Sequence, residues 1–160
     1  MPVRLVPMSP ARFPAWLERS RGEYERDLIV TGESEEDARR HSAESMENVF
    51  PSGGSTPHNA VFDLIDEFDR AVGYLWVGRG GSGGDSSGDD ASWWIWDVLV
   101  DEEHRGRGFG REAMRLAEEY ARSQGAQTLG LSVFAFNAAA RGLYDSLGYE
   151  PVSVKMRKTL

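Results

Sequence analysis

Cysteine is absent from the 160 residues, which removes a disulfide framework, a thiolate metal site and a cysteine nucleophile together. Its absence also fits a reducing compartment. Histidine is scarce: His41, His58 and His104 stand far apart, and no metal site is expected. No stretch approaches the ~20 apolar residues that crossing a bilayer demands. The start, Met1-Pro2-Val3-Arg4-Leu5, does not read as a signal peptide, so the cytoplasm is the expected location and no membrane partner is expected. Basic charge is short as well, 18 residues against 26 acidic, for a formal net charge of −8. Nucleic-acid affinity draws mainly on basic charge, so a nucleic-acid partner is not expected either. A cationic acceptor such as an amine would instead be drawn toward an acidic protein.

What is present is enough for a core. Hydrophobic residues make up 40% and aromatics 11%, which suits one compact domain over residues 1–160. Val3 to Met8 reads as a short strand. Pro10 to Val30 carries Phe13, Trp16, Leu17, Tyr24, Leu28 and Ile29 mostly on one helical face. Ser34 N-caps a second helix whose Glu35, Glu36 and Asp37 suit the positive end of the dipole, and it stops by Pro51. Asn59 to Asp66 and Ala71 to Val77 form a hairpin turning at Glu67-Phe68-Asp69. Gly78 to Asp90, rich in Gly, Ser and Asp, reads as a surface loop between strands. Trp93 to Val100 is a strand, Gly108 to Ser123 a helix, Thr128 to Phe134 a strand, and Asn137 to Leu147 a helix with Gly148 at C′. Tyr149 to Val154 and Lys155 to Leu160 are expected to finish in β structure. This order describes an α/β fold around one mixed sheet.

The most informative segment is Asp97-Val98-Leu99-Val100-Asp101-Glu102-Glu103-His104-Arg105-Gly106-Arg107-Gly108-Phe109-Gly110-Arg111. A strand runs out, a few polar residues turn the chain, and glycines with arginines open a helix. Glycines let backbone N–H groups approach an anion closely, and the helix dipole favours negative charge there. Such a site suits a pyrophosphate. It is not a P-loop, because Gly110-Arg111-Glu112 lacks the Lys and Ser/Thr. It is not a dinucleotide fingerprint, because the third glycine position falls on Arg111. The pattern that fits is Arg-x-x-Gly-x-Gly, at Arg105, Gly108 and Gly110. Further on stands Asn137-Ala138-Ala139-Ala140-Arg141-Gly142-Leu143-Tyr144-Asp145-Ser146-Leu147-Gly148-Tyr149.

The two segments resemble the coenzyme A signature and the C-terminal motif of the GCN5-related N-acetyltransferase (GNAT) superfamily, over about Trp93 to Tyr149. Thr56-Pro57-His58, Gly73-Tyr74-Leu75-Trp76 and Val133-Phe134-Ala135-Phe136-Asn137 resemble a bacterial subgroup of it, a likeness that names no substrate. The resemblance implies a GNAT-type acyl-CoA N-acyltransferase fold: a central mixed, mostly antiparallel sheet splayed between strands 4 and 5, with about four helices. It implies acetyl-CoA as cosubstrate, a small-molecule or peptide amine as acceptor, and a homodimer as the assembly common among similar proteins. By the same resemblance, Val98, Leu99 and Val100 sit at a strand bulge and offer backbone N–H groups to the cofactor. Arg105, Gly106, Arg107, Gly108, Phe109, Gly110 and Arg111 hold its pyrophosphate, and Asn137 contacts it while capping its helix.

Tyr144 is the candidate general acid. A free coenzyme A thiol resembles cysteine, near ~8.5, and a phenol titrates near ~10, so Tyr144 could protonate or hydrogen-bond the departing thiolate. The other reading of Tyr144 is a core residue packing its helix on the sheet. For the general base Asp97 is best placed, in the strand beside the expected thioester. Alternation puts Trp94 and Trp96 on one face and Asp97 on the other unless a bulge intervenes. His58 is a second candidate, and His104 reads as a solvent-facing loop residue. Tyr24, Trp76, Trp94 and Trp96 either line an acceptor pocket or belong to the core. Without cysteine, direct attack in a ternary complex is the expected route. The competing reading is a non-catalytic acyl-CoA binding or sensing domain on the same fold.

Overall fold

The computed structural model describes residues 2–80 and 91–160. Within them the order is β1 (Val3–Pro7), α1 (Phe13–Val30), α2 (Glu35–Val49), β2 (Asn59–Asp66), β3 (Ala71–Arg79), β4 (Ser92–Val100), a 3-10 turn (Glu102–His104), α3 (Phe109–Ser123), β5 (Thr128–Leu131) and α4 (Ala138–Ser146). The five strands lie in the order of the chain, antiparallel from β1 to β4, with β5 parallel to β4.

Helix starts follow local chemistry. Pro14 sits in the first turn of α1, where its missing N–H is not needed. Ser34 Oγ accepts the Asp37 N–H at 3.1 Å, as its N-cap role requires. The β2–β3 turn is held by the Asp66 carboxylate, which accepts from the N–H groups of Phe68 and Arg70 at 2.9 Å each. Helices cover both faces of the sheet. On one face α3 presents Ala113, Ala117 and Ala121, each at most 1% exposed; small residues four apart let the helix press closely on Leu75, Val77, Trp93 and Ile95. On the other, Phe13 and Trp16 of α1, Met46 of α2 and Phe50 pack on Val61, Tyr74 and Trp76.

Three sequence expectations change. The strand expected to reach Phe134 stops at Leu131, because β4 has parted from it by then. Residues 151–160 form no strand: Val152, Val154 and Met156 are 90%, 74% and 87% exposed, and β5 pairs only with β4. Alternation alone makes no strand where no neighbouring ladder receives it. The loop expected from Gly78 begins later, since β3 runs to Arg79; its remainder, residues 81–90, lies outside the described residues.

Candidate active site

The site begins with an irregularity in β4. Trp76 pairs with Asp97 and Val77 with Ile95, so Trp96 is an extra residue on β4, a bulge. Before it, Trp93 and Ile95 face α3. After it the alternation is reset, and Asp97 joins Trp94 and Trp96 on the α1 face. Its Oδ2 accepts the hydroxyl hydrogen of Tyr74 at 2.9 Å. The bulge therefore decides the orientation that alternation left open. It lies earlier than Val98–Val100, where the bulge was expected.

The ladder between β4 and β5 ends at Ile95–Leu131. Beyond it, among the described residues, no strand pairs with the edge of β4 turned toward β5, through Val98, Leu99 and Val100. One pair before that end, Trp94 packs on Gly130; a Cβ there would lie 2.2 Å from the indole. Only glycine admits a ring so close to the β5 backbone.

From Val100 the chain turns through the 3-10 segment, and Arg105 Nε donates to the Val100 carbonyl at 2.9 Å. Gly106 and Gly108 have φ of +74° and +84°, left-handed values that a side chain disfavours by about 1–2 kcal/mol. Gly108 is the N-cap of α3 and carries no capping side chain, which leaves the N–H groups of the first turn open to an external acceptor. His104 is not solvent-facing as the sequence suggested: its ring lies edge-on to Phe109 at 6.4 Å.

Across the parting, Asn137 Oδ1 accepts the Ala140 N–H at 3.2 Å and starts α4. Arg111 Nη2 donates to Ser146 Oγ at 2.8 Å, tying α3 to α4. Between these elements lies a cavity of about 620 Å³, lined by Val98–Val100, His104, Arg105, Gly106, Gly108–Arg111, Met114, Asn137, Ala139, Ala140, Leu143 and Tyr144. It gathers every residue expected at the cofactor site except Arg107, which is exposed. Asn137 and Tyr144, two turns apart on α4, both face it.

Two ionisable groups flank the parting. Burial pushes the Asp97 carboxyl up to about 6; the Tyr74 hydrogen bond and Arg19 oppose that rise, while Glu23 and Asp27 reinforce it. Burial, and then the Asp97 charge, raise the Tyr144 phenol. One lies on β4 and the other on α4. At neutral pH these shifts leave the Asp97 carboxyl largely ionised and the Tyr144 phenol neutral, an acceptor and a donor of protons, of which Tyr144 lines the cavity.

His58 lies in an exposed turn, where its carbonyl accepts the Arg79 N–H. Tyr24 turns to His41, with ring centroids 5.7 Å apart. Trp76 is core, its Nε1 bonded to Asn59 Oδ1 at 3.1 Å, and Trp96 and Trp94 extend from it at successive centroid distances of 5.9 and 6.1 Å. No role was expected for Tyr74 or Glu23; Tyr74 stood only within the Gly73-Tyr74-Leu75-Trp76 stretch that carries the subgroup likeness, and Glu23 had no signal.

A parallel strand pair that parts beside a glycine-opened helix, with a phenol facing the opening, defines the class of acyl-transferring enzymes that lodge a cofactor in a split sheet. The acetyltransferase (GNAT) family model matches residues 17–149, and the chain belongs to that family. Over its whole length it is 31% identical to a Bacillus subtilis protein called an uncharacterized N-acetyltransferase, YycN, covering all of both chains. The crystal structure of YycN, described as a putative acetyltransferase, superposes with a TM-score of 0.84 over 99% of each chain. A second Bacillus subtilis relative, the uncharacterized N-acetyltransferase YdgE, is 28% identical over all of this chain and 99% of its own. In fold alone, at 16% identity and a TM-score of 0.58 over both full chains, it also matches AAC(6′)-Iy, solved with the bisubstrate analog CoA-S-monomethyl-acetylneamine.

Proposed function

We propose that this protein transfers an acetyl group from acetyl-CoA to a primary amine by direct attack within a ternary complex. The observation that carries this reading is the single cavity that gathers the glycine-opened start of α3, the Val98–Val100 edge and Tyr144, with Asp97 directly before Val98 on β4. The residues present suit the cofactor. The open N–H groups at Gly108–Arg111, with Arg105 and Arg111 beside them, match a pyrophosphate, and the unpaired edge at Val98–Val100 matches amide groups that need backbone partners.

Acetyl-CoA supplies an activated acetyl carbonyl and a thiol leaving group. The backbone of Val98–Val100 orients that carbonyl, and a fixed N–H there is worth roughly 3–4 kcal/mol when negative charge develops on its oxygen. Asp97, ionised above about 6, takes a proton from the incoming ammonium group. The amine nitrogen bonds to the acetyl carbon as the carbon–sulfur bond breaks. Tyr144, kept neutral by its raised pKa, donates its hydroxyl hydrogen to the departing sulfur and regains a proton from the nitrogen of the new amide. The net change is ammonium plus thioester to amide plus thiol, with one proton left on Asp97.

The test is free-thiol release on mixing protein, acetyl-CoA and a panel of spermidine, glucosamine, lysine and a tripeptide with a free N-terminus. Amine-dependent release that falls at least ten-fold in Tyr144→Phe is expected. Tight acetyl-CoA binding with no release for any amine would favour a sensing role instead.

A further inference from the structure

Asp97 must discard a proton in every turnover; it is half-buried, does not line the cavity, and turns its Oδ2 to Tyr74. The structure offers it one continuous set of oxygens leading elsewhere. We infer that Tyr74 is the positioning residue for Asp97 and, together with Glu23, the route by which the proton leaves the site.

The geometry is specific. Tyr74 is 5% exposed, and its hydroxyl lies 2.9 Å from Asp97 Oδ2 and 3.4 Å from Glu23 Oε2. Its ring is fixed edge-on to Trp16 at 6.1 Å, and the Arg19 guanidinium lies 5.4 Å from its centroid. Glu23 is on the other side of the phenol, on α1, with a side chain 32% exposed and its Oε1 3.2 Å from Arg19 Nε. The chain Asp97–Tyr74–Glu23 thus runs from β4 through the core of the α1 face to a carboxylate that meets water.

The chemistry follows from the roles each group can hold. A hydroxyl has one hydrogen to give and lone pairs to receive another. When Asp97 is ionised, Tyr74 donates to it, which aims the carboxylate and favours its charge. When Asp97 carries the proton taken from the acceptor, that proton passes to the Tyr74 oxygen while the hydrogen of Tyr74 passes to Glu23. One O–H bond breaks and one forms at each transfer, and Tyr74 ends neutral. The transfer is concerted, because burial first, and then the charges of Asp97 and Glu23, hold the phenol well above its ordinary value and forbid a tyrosinate. The charged and titratable groups acting on Asp97 are Tyr74 from β3, Arg19, Glu23 and Asp27 from α1, and Tyr144 from α4.

This inference rests on Asp97 as the base, and the experiment separates the two. In the free protein, carbon-13 NMR titration of the Asp97 carboxyl should give a midpoint near 6, moving upward in Tyr74→Phe, which keeps the ring and loses only the donor. With acetyl-CoA and the turned-over panel amine, Tyr74→Phe should lower kcat about ten-fold with KM for acetyl-CoA unchanged, and shift the acid limb of the rate profile upward. Glu23→Gln should lower kcat with the limb in place, and imidazole buffer should restore part of it by carrying the proton. An unmoved Asp97 midpoint in Tyr74→Phe overturns the positioning role, and a Glu23→Gln enzyme with native kcat, or one that no buffer rescues, overturns the route. If Asp97→Asn keeps full activity, the base assignment fails and takes the route with it. An inactive Asp97→Asn beside a native-like Tyr74→Phe sinks this inference alone.

Discussion

The two walls of the cleft are built on different physics. The wall formed by α4 and the glycine turn is open: α4 has no fully buried residue, and the first-turn N–H groups after Gly108 meet no capping side chain. The wall formed by α1, α2 and the middle of β3 and β4 is dense. Phe13, Trp16, Phe50, Tyr74 and Trp76 meet there at centroid distances of 5.2 to 6.1 Å, mostly edge to face. A wall that holds a ligand by its backbone tolerates exposure, because its geometry is local. A wall that tunes a carboxylate needs burial, because exclusion of water is the largest cause of the raised Asp97 carboxyl.

The difference can be broken from the dense side first. Trp16→Ala removes the ring that touches four other aromatics and should destabilise the protein by about 3–5 kcal/mol. By scanning calorimetry the melting temperature falls by roughly ten degrees, while acetyl-CoA affinity of the remaining folded protein, by isothermal titration calorimetry, stays within about two-fold. Equal losses in both would mean that the walls are not separable.

A smaller effect sharpens the electrostatic half of the comparison. The Asp97 carboxyl is raised in the folded state to about 6 from the usual ~3.9. Its contribution to stability is therefore present at low pH and is lost as pH rises through about 6, by up to about 3 kcal/mol. Denaturant unfolding should show Asp97→Asn gaining on the native protein as pH climbs from 5 to 7. A stability difference flat across that range would mean that Asp97 is not buried as the fold requires.

The smallest change falls on the open wall. Gly108→Ala places a Cβ at a positive φ, at about 1–2 kcal/mol. The helix start is distorted more than the core, so KM for acetyl-CoA should rise about ten-fold in steady-state assays with kcat within two-fold. A kcat loss with unchanged KM would place the glycine turn in the chemistry instead of in binding.

Much of the fold was legible in the sequence. The two N-terminal helices, the β2–β3 hairpin, α3 and α4 fall within a few residues of the spans read from periodicity and caps, as Ser34, Asn137 and Gly148 illustrate. The terminal strand misled, since Val152, Val154 and Met156 alternate correctly yet no strand among the described residues pairs with them. Alternation also left Asp97 undecided, because one extra residue at Trp96 reverses a face, and a bulge is set by the neighbouring strand.

By itself the sequence determined the open wall: the Arg105–Gly110 turn and the Asn137–Tyr144 helix are local patterns whose groups act through their own backbone or through positions two turns apart. Only the tertiary structure decided the dense wall. Tyr74 meets Asp97 across 23 residues and Glu23 across 51, and none of the three carries a motif that names the others. Their meeting depends on the β3–β4 register, on the bulge that turns Asp97 toward α1, and on the aromatic packing that sets α1 over the sheet. Each of these is a long-range contact, and burial, which raises the pKa of Asp97, is a property of the assembled fold.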